Sequence, residues 1–107
     1  TLPRFVVLPT REPIPLSTEV LSSPEVSNLI VDLRERYDSR IVIFDLPPVL
    51  SSDDVITVLP KFDCVLLVVA NGVNSTKEIE ESLHHLDGAN LVGTVLNKAE
   101  PQNRTYY

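Results

Sequence analysis

Methionine and tryptophan are absent from this 107-residue sequence, glycine occurs three times and cysteine once. Each shortage excludes something. Gly72, Gly88 and Gly93 are too few and too scattered for a glycine-rich phosphate loop of either common type. Cys64 has no second cysteine for an internal disulfide, which suits a reducing compartment. Inside its apolar run it reads as a small buried hydrophobe. The chain opens on Thr1 rather than Met, which fits a fragment as readily as a processed product. No apolar run approaches the ~18 residues that span a bilayer, and no signal peptide opens the chain. Nine Lys and Arg stand against fifteen Asp and Glu, for a net charge of −6. The basic residues are scattered, so no basic stripe faces a phosphate backbone, which argues against a nucleic-acid partner.

What is there suffices for one core. Hydrophobic residues make up 43% of the chain and the mean hydropathy is +0.09, which argues against wholesale disorder. Phe5 to Leu8 is a β-rich apolar run closed by Pro9 and predicts a buried strand. Pro13 and Pro15 mark a loop, with a helical turn near Glu19 to Leu21. Ser22 and Ser23 offer an N-cap, and Ser22 with Glu25 has capping-box spacing. Val26, Leu29, Ile30, Leu33 and Tyr37 then form the stripe of a helix over 24–37. Ile41 to Phe44 is continuously apolar, as in a strand covered on both faces. A short helix is expected over 53–59. Val65 to Val69 is a further apolar strand. Ser75 and Glu78 repeat the capping-box spacing before a helix over 76–86, with Gly88 placed to end it. Leu91 to Leu96 is the last strand, and the tail over 99–107 is polar and reads as loose.

The order β, α, β, α, β, α, β predicts a parallel α/β sheet with helices on both faces, about four strands and three helices. Ligands bind outside the carboxyl ends of such strands. Those ends are Pro9-Thr10, Asp45 to Pro48, Ala70-Asn71 and Asn97-Lys98.

Asp45 carries the strongest signal. Four apolar residues followed by Asp is a Walker B pattern, in which a rigid carboxylate meets a phosphate-bound Mg²⁺. Taken alone it also fits a turn or helix-cap aspartate. The run Ile41-Val42-Ile43-Phe44-Asp45-Leu46-Pro47-Pro48-Val49-Leu50 resembles the Walker B segment of the bacterial tyrosine autokinases of capsule and exopolysaccharide synthesis. Those kinases are deviant Walker ATPases, alongside septum-site and plasmid-partition ATPases. Ser17 to Pro24, Asp63 to Val69 and Val92 to Lys98 resemble other segments of the same family. The likeness covers residues 5 to 98, and the Arg40 to Leu50 wording is closest to the exosortase-associated branch.

The resemblance implies a three-layer P-loop NTPase-like fold. It implies Asp45 as the carboxylate acting on Mg²⁺ and on the tyrosine hydroxyl proton. Asp54 matches an aspartate that often follows the double proline; its plain reading is a charge favoured by a helix N-terminus. Asn97 would meet the adenine edge. Lys98 would border the base or simply be solvated. Tyr106 and Tyr107 match a C-terminal cluster of phosphoacceptors, or are two tyrosines in a polar tail. ATP and Mg²⁺ are the implied ligands of the parent protein.

The implied partner is a transmembrane polysaccharide co-polymerase that regulates chain length, at the cytoplasmic face of the bacterial cell membrane. The family's Gly-x-x-x-x-Gly-Lys-Ser/Thr loop and its Asp-x-Asp-x-Arg motif are absent. The chain therefore reads as the single, partial C-terminal half of such a domain, inactive alone and without a bound cofactor. Missing strands would leave apolar edges unpaired, so a repacked sheet or a homo-oligomer is expected. The competing readings are a receiver-like domain phosphorylated at Asp45 and a degenerate ATPase-like interaction module. His84 and His85 point about 100° apart on one helix, a poor shared metal site.

Overall fold

A computed structural model describes residues 4–9 and 20–101. Among the described residues the architecture is α/β, with a small parallel sheet and three full α-helices. Helix α1 runs Pro24–Arg36 and α2 runs Asp53–Val58. Strand β1 is Val65–Ala70, α3 is Thr76–His85 and β2 is Leu91–Asn97. Single 3₁₀ turns at Val49–Ser51 and Leu59–Lys61 flank α2.

Local chemistry sets the helix starts. Ser23 caps α1, its hydroxyl accepting from the Val26 amide at 3.4 Å, with Pro24 at the first helical position. The N-cap is Ser23 rather than Ser22. Ser52 caps α2 through the Asp54 amide at 3.0 Å. The Ser75–Glu78 capping box of α3 forms as expected: Ser75 Oγ accepts from the Glu78 amide, and Glu78 Oε2 accepts from the Ser75 amide. Ser75→Ala is expected to cost about 1 kcal/mol in urea unfolding, because one orphan donor of α3 loses its acceptor. Gly88 follows α3 at φ 90° with nothing within 4 Å of an added Cβ. Gly88→Ala therefore costs only its backbone conformation, about 1 kcal/mol.

Strands β1 and β2 are joined by α3 and pair in parallel, Leu66 with Gly93 through Ala70 with Asn97. A register shift between Val65 and Leu66 places Val92 outside the pairing. One face of β1 packs inward, with Val69 buried, while Leu66 and Val68 on the other face stay exposed.

The core is small. Ile30, Val55, Val58, Leu59, Val69 and Leu86 are its buried residues. The helix stripes bury only these contact points, and Leu29 of α1 and Leu83 of α3 remain exposed. Arg34 ties α1 to the segment entering β1. Its Nη2 donates to the Lys61 carbonyl at 2.5 Å and pairs with Asp63 at 3.3 Å. Lys61 Nζ donates to Ser27 Oγ on the same helix.

Two expected strands are absent. Phe5 to Leu8 and Ile41 to Phe44 are irregular, and Phe5, Val6, Val7, Leu8, Ile41 and Ile43 are all largely exposed. Among the described residues the sheet thus has two strands rather than about four. The reason is that a strand is stabilised by a paired neighbour on its edge, and among the described residues no strand pairs with either run. Cys64 is exposed rather than buried, because it precedes β1 instead of lying within it. Among the described residues no helix is long and apolar enough to cross a membrane.

Candidate functional site

The carboxyl ends of β1 and β2 lie side by side, as a parallel pair requires. Ala70 pairs with Asn97, and the Asn71 amide donates to the Asn97 carbonyl at 2.9 Å. Asn97 Oδ1 accepts from the Lys98 amide at 2.9 Å. That bond engages the oxygen of the amide, and no described hydrogen bond engages its Nδ2 donor. Lys98 sits at φ 58°, in the left-handed region that a lysine occupies only at a cost of about 1–2 kcal/mol. Lys98→Gly is accordingly expected to raise stability by up to about 1 kcal/mol, read from the urea midpoint.

Asp45 is exposed, between half-buried Phe44 and half-buried Leu46. The following Pro47-Pro48 leads into a turn in which Ser51 donates to the Pro48 carbonyl from both its amide (3.0 Å) and its hydroxyl (2.6 Å). Pro48 and Val49 line a cleft of about 270 Å³ together with Leu67 of β1 and Ile79 of α3. Asp54 is half-buried at the start of α2, where a carboxylate suits the helix dipole. No hydrogen bond or ion pair joins Asp45 or Asp54 to Asn97 or Lys98 among the described residues. Tyr106 and Tyr107 lie outside the described residues.

Sequence alone did not single out Phe62. Its ring meets Phe44 at 5.1 Å between centroids with a 48° tilt, directly beside Asp45. The only available signal was an aromatic on each side of the Asp45–Pro48 segment. His84 and His85 rings are 6.1 Å apart. Among the described residues, no group of three or more His, Cys, Asp or Glu could hold a metal ion.

Magnesium takes oxygen donors, commonly one or two carboxylates, with phosphate and water completing the shell. An exposed Asp45 carboxylate with no ion-pair partner among the described residues fits that chemistry as one ligand. It does not suffice alone, since among the described residues it belongs to no group of three or more metal-ligating side chains.

Comparison with known proteins decides the relationship. The chain is 34% identical over 95 residues to the tyrosine-protein kinase Wzc of Salmonella typhi, covering 87% of this chain and 13% of that protein. The match to Wzc of Salmonella typhimurium has the same extent. Against the tyrosine-protein kinase Etk of Escherichia coli K12 it is 30% identical over 105 residues, or 96% of this chain and 14% of that protein. This chain is a homologue of the bacterial tyrosine-protein kinases. No protein-family model matches it. As a kinase homologue, the chain spans 13–14% of the length of these curated relatives. The kinase likeness extends through the exposed Asp45 and the paired ends of β1 and β2, because 96% of the chain aligns.

Proposed function

We propose that the chain is the C-terminal half of the ATP-dependent tyrosine autokinase domain of a longer protein, which regulates exopolysaccharide or capsule synthesis and chain length. The observation that carries this reading is the exposed Asp45 at the end of an apolar run, before a double-proline turn, in a homologue of tyrosine kinases. In this reading the parent domain is a P-loop NTPase. Its sheet includes the runs 5–8 and 41–44 that are irregular here.

The proposed chemistry is phosphoryl transfer. The tyrosine oxygen forms a bond to the γ-phosphorus of ATP, the bond to the β–γ bridging oxygen breaks, and ADP leaves. Asp45 would hold Mg²⁺ when the ion is bound, and takes up the hydroxyl proton. Mg²⁺, when bound, neutralises charge on the β- and γ-phosphates. Asp54, at the start of α2, would be a further oxygen donor to that ion. Asn97 donates to the adenine edge from Nδ2, and Lys98 borders the base. Tyr106 and Tyr107 are the acceptors, presented to a neighbouring subunit.

The short chain lacks a lysine-bearing phosphate loop, so alone it transfers nothing. The proposed partner of the full protein is a transmembrane polysaccharide co-polymerase, with the kinase peripheral at the cytoplasmic face of the membrane. Self-association is part of the proposal. Leu66, Val68 and Val95 are exposed on the sheet, together with the runs at 5–8 and 41–43. Sedimentation of the isolated chain is expected to show concentration-dependent oligomers, and a monodisperse monomer at all concentrations contradicts this part.

The test of the reading is phosphotyrosine on the longer protein incubated with ATP and Mg²⁺, mapped by mass spectrometry. Label on Tyr106 or Tyr107, with none on the short chain under the same conditions, supports it. A longer protein that binds ATP yet never carries phosphotyrosine overturns it.

A further inference from the structure

Asp45 sits in a segment with no sheet to hold it. Among the described residues, no backbone hydrogen bond reaches residues 41–47. The carboxylate is nonetheless bracketed by two anchors. On its C-terminal side, the Pro48 carbonyl accepts from the Ser51 amide and hydroxyl, and Pro48 and Val49 line the cleft. On its N-terminal side, the adjoining Phe44 ring rests on Phe62.

Phe62 is itself well fixed. Its amide donates to the Leu59 carbonyl at 3.1 Å, closing the 3₁₀ turn. Its two neighbours are both held by one guanidinium: Arg34 donates to the Lys61 carbonyl and pairs with Asp63. Position therefore passes from α1 through Arg34 to Phe62, then to Phe44, and so to Asp45. A tilted ring pair at this spacing is a favourable aromatic geometry, and it resists sliding along the chain.

We infer that Phe62 is a positioning residue for the Asp45 carboxylate, acting through the Phe44 ring. This rests on the reading of Asp45 as the metal-binding carboxylate. Phe62 touches no reacting group; it supplies the preorganisation that an isolated strand end lacks here. The ring pair matters because an aspartate free to wander presents its oxygens to a phosphate-bound ion only part of the time.

The test has two arms. In this chain, ¹⁵N relaxation is measured at the Phe44, Asp45 and Leu46 amides for wild type, Phe62→Ala and Phe62→Tyr. The expected result is an order parameter near about 0.8 in wild type and Phe62→Tyr, falling below about 0.6 in Phe62→Ala, with β1 and β2 amides unchanged. If Phe62→Ala does not fold, Phe62→Leu carries the test, since it keeps apolar bulk and loses the ring. Unchanged order at 44–46 without the ring overturns the inference.

In the second arm, the longer protein is titrated with Mg²⁺ while nucleotide binding is followed. Phe62→Ala is expected to raise the Mg²⁺ needed for half-maximal binding several-fold, with affinity for metal-free nucleotide unchanged. Asp45→Asn separates the two claims. If Asp45→Asn leaves the Mg²⁺ dependence alone, the reading of Asp45 fails. If Asp45→Asn shifts it and Phe62→Ala does not, the positioning role fails and the reading of Asp45 stands.

Discussion

Val58→Asp unfolds the chain. Val58 is fully buried and Val55, one turn away on α2, is 1% exposed. They are two of the six buried apolar residues among those described, so each carries a large share of the total. Burying one valine side chain contributes about 1.5 kcal/mol or more. A carboxylate at the same place loses that and adds a desolvation penalty of several kcal/mol, with no described cation aimed into the core. Small domains hold about 5 kcal/mol or somewhat more in total, so the substitution exceeds the margin. The expected readout is loss of dispersion in the amide NMR spectrum. Val58→Ala should retain the fold at a cost of about 1–2 kcal/mol. Val68→Asp is the control, because that side chain is 56% exposed on the open face of β1 and its charge stays in water. A cooperatively folded Val58→Asp chain contradicts the placement of the core.

Asp45→Asn abolishes autophosphorylation in the longer protein, by at least about 10²-fold. The change keeps the size and planarity of the side chain and removes its charge and its basicity. Both proposed roles go together: the ligand to Mg²⁺ and the acceptor of the tyrosine proton. Because Asp45 is exposed, folding stability should shift by no more than about 0.5 kcal/mol. Asp53→Asn is a fair comparison, since Asp53 is exposed at the start of α2 and serves no proposed step. Its phosphotyrosine signal should match wild type. Equal loss in both variants would point to general charge rather than to Asp45.

The parts of the fold legible in sequence are those fixed by nearby residues. The capping box of α3 needs only Ser75 and Glu78, three positions apart, and it forms. Ser23 and Ser52 likewise start their helices with partners two or three residues on. Strands β1 and β2 were legible because each is apolar and α3 between them brings the pair together. The runs at 5–8 and 41–44 have equal β character and stay irregular. Residue type makes a strand possible, while a neighbouring strand makes it form, and that neighbour is not written in the run itself. For the same reason the anchors of Asp45 were not legible. Phe44 and Phe62 are distant in sequence, as are Arg34 and Asp63, and only folding brings each pair together. Asn97 was correctly placed at a strand end, but the engagement of its oxygen by the Lys98 amide depends on the left-handed turn at Lys98.

The proposed half-domain concerns a chain that spans 13% of the length of Wzc and whose described sheet has two strands with an exposed apolar face. Its most direct test is ATP affinity, measured calorimetrically with Mg²⁺ for this chain and for the longer protein that includes a Gly-Lys-Ser/Thr loop. The half-domain reading predicts no detectable binding to this chain and clear saturable binding to the longer one. Comparable affinity in both would contradict it.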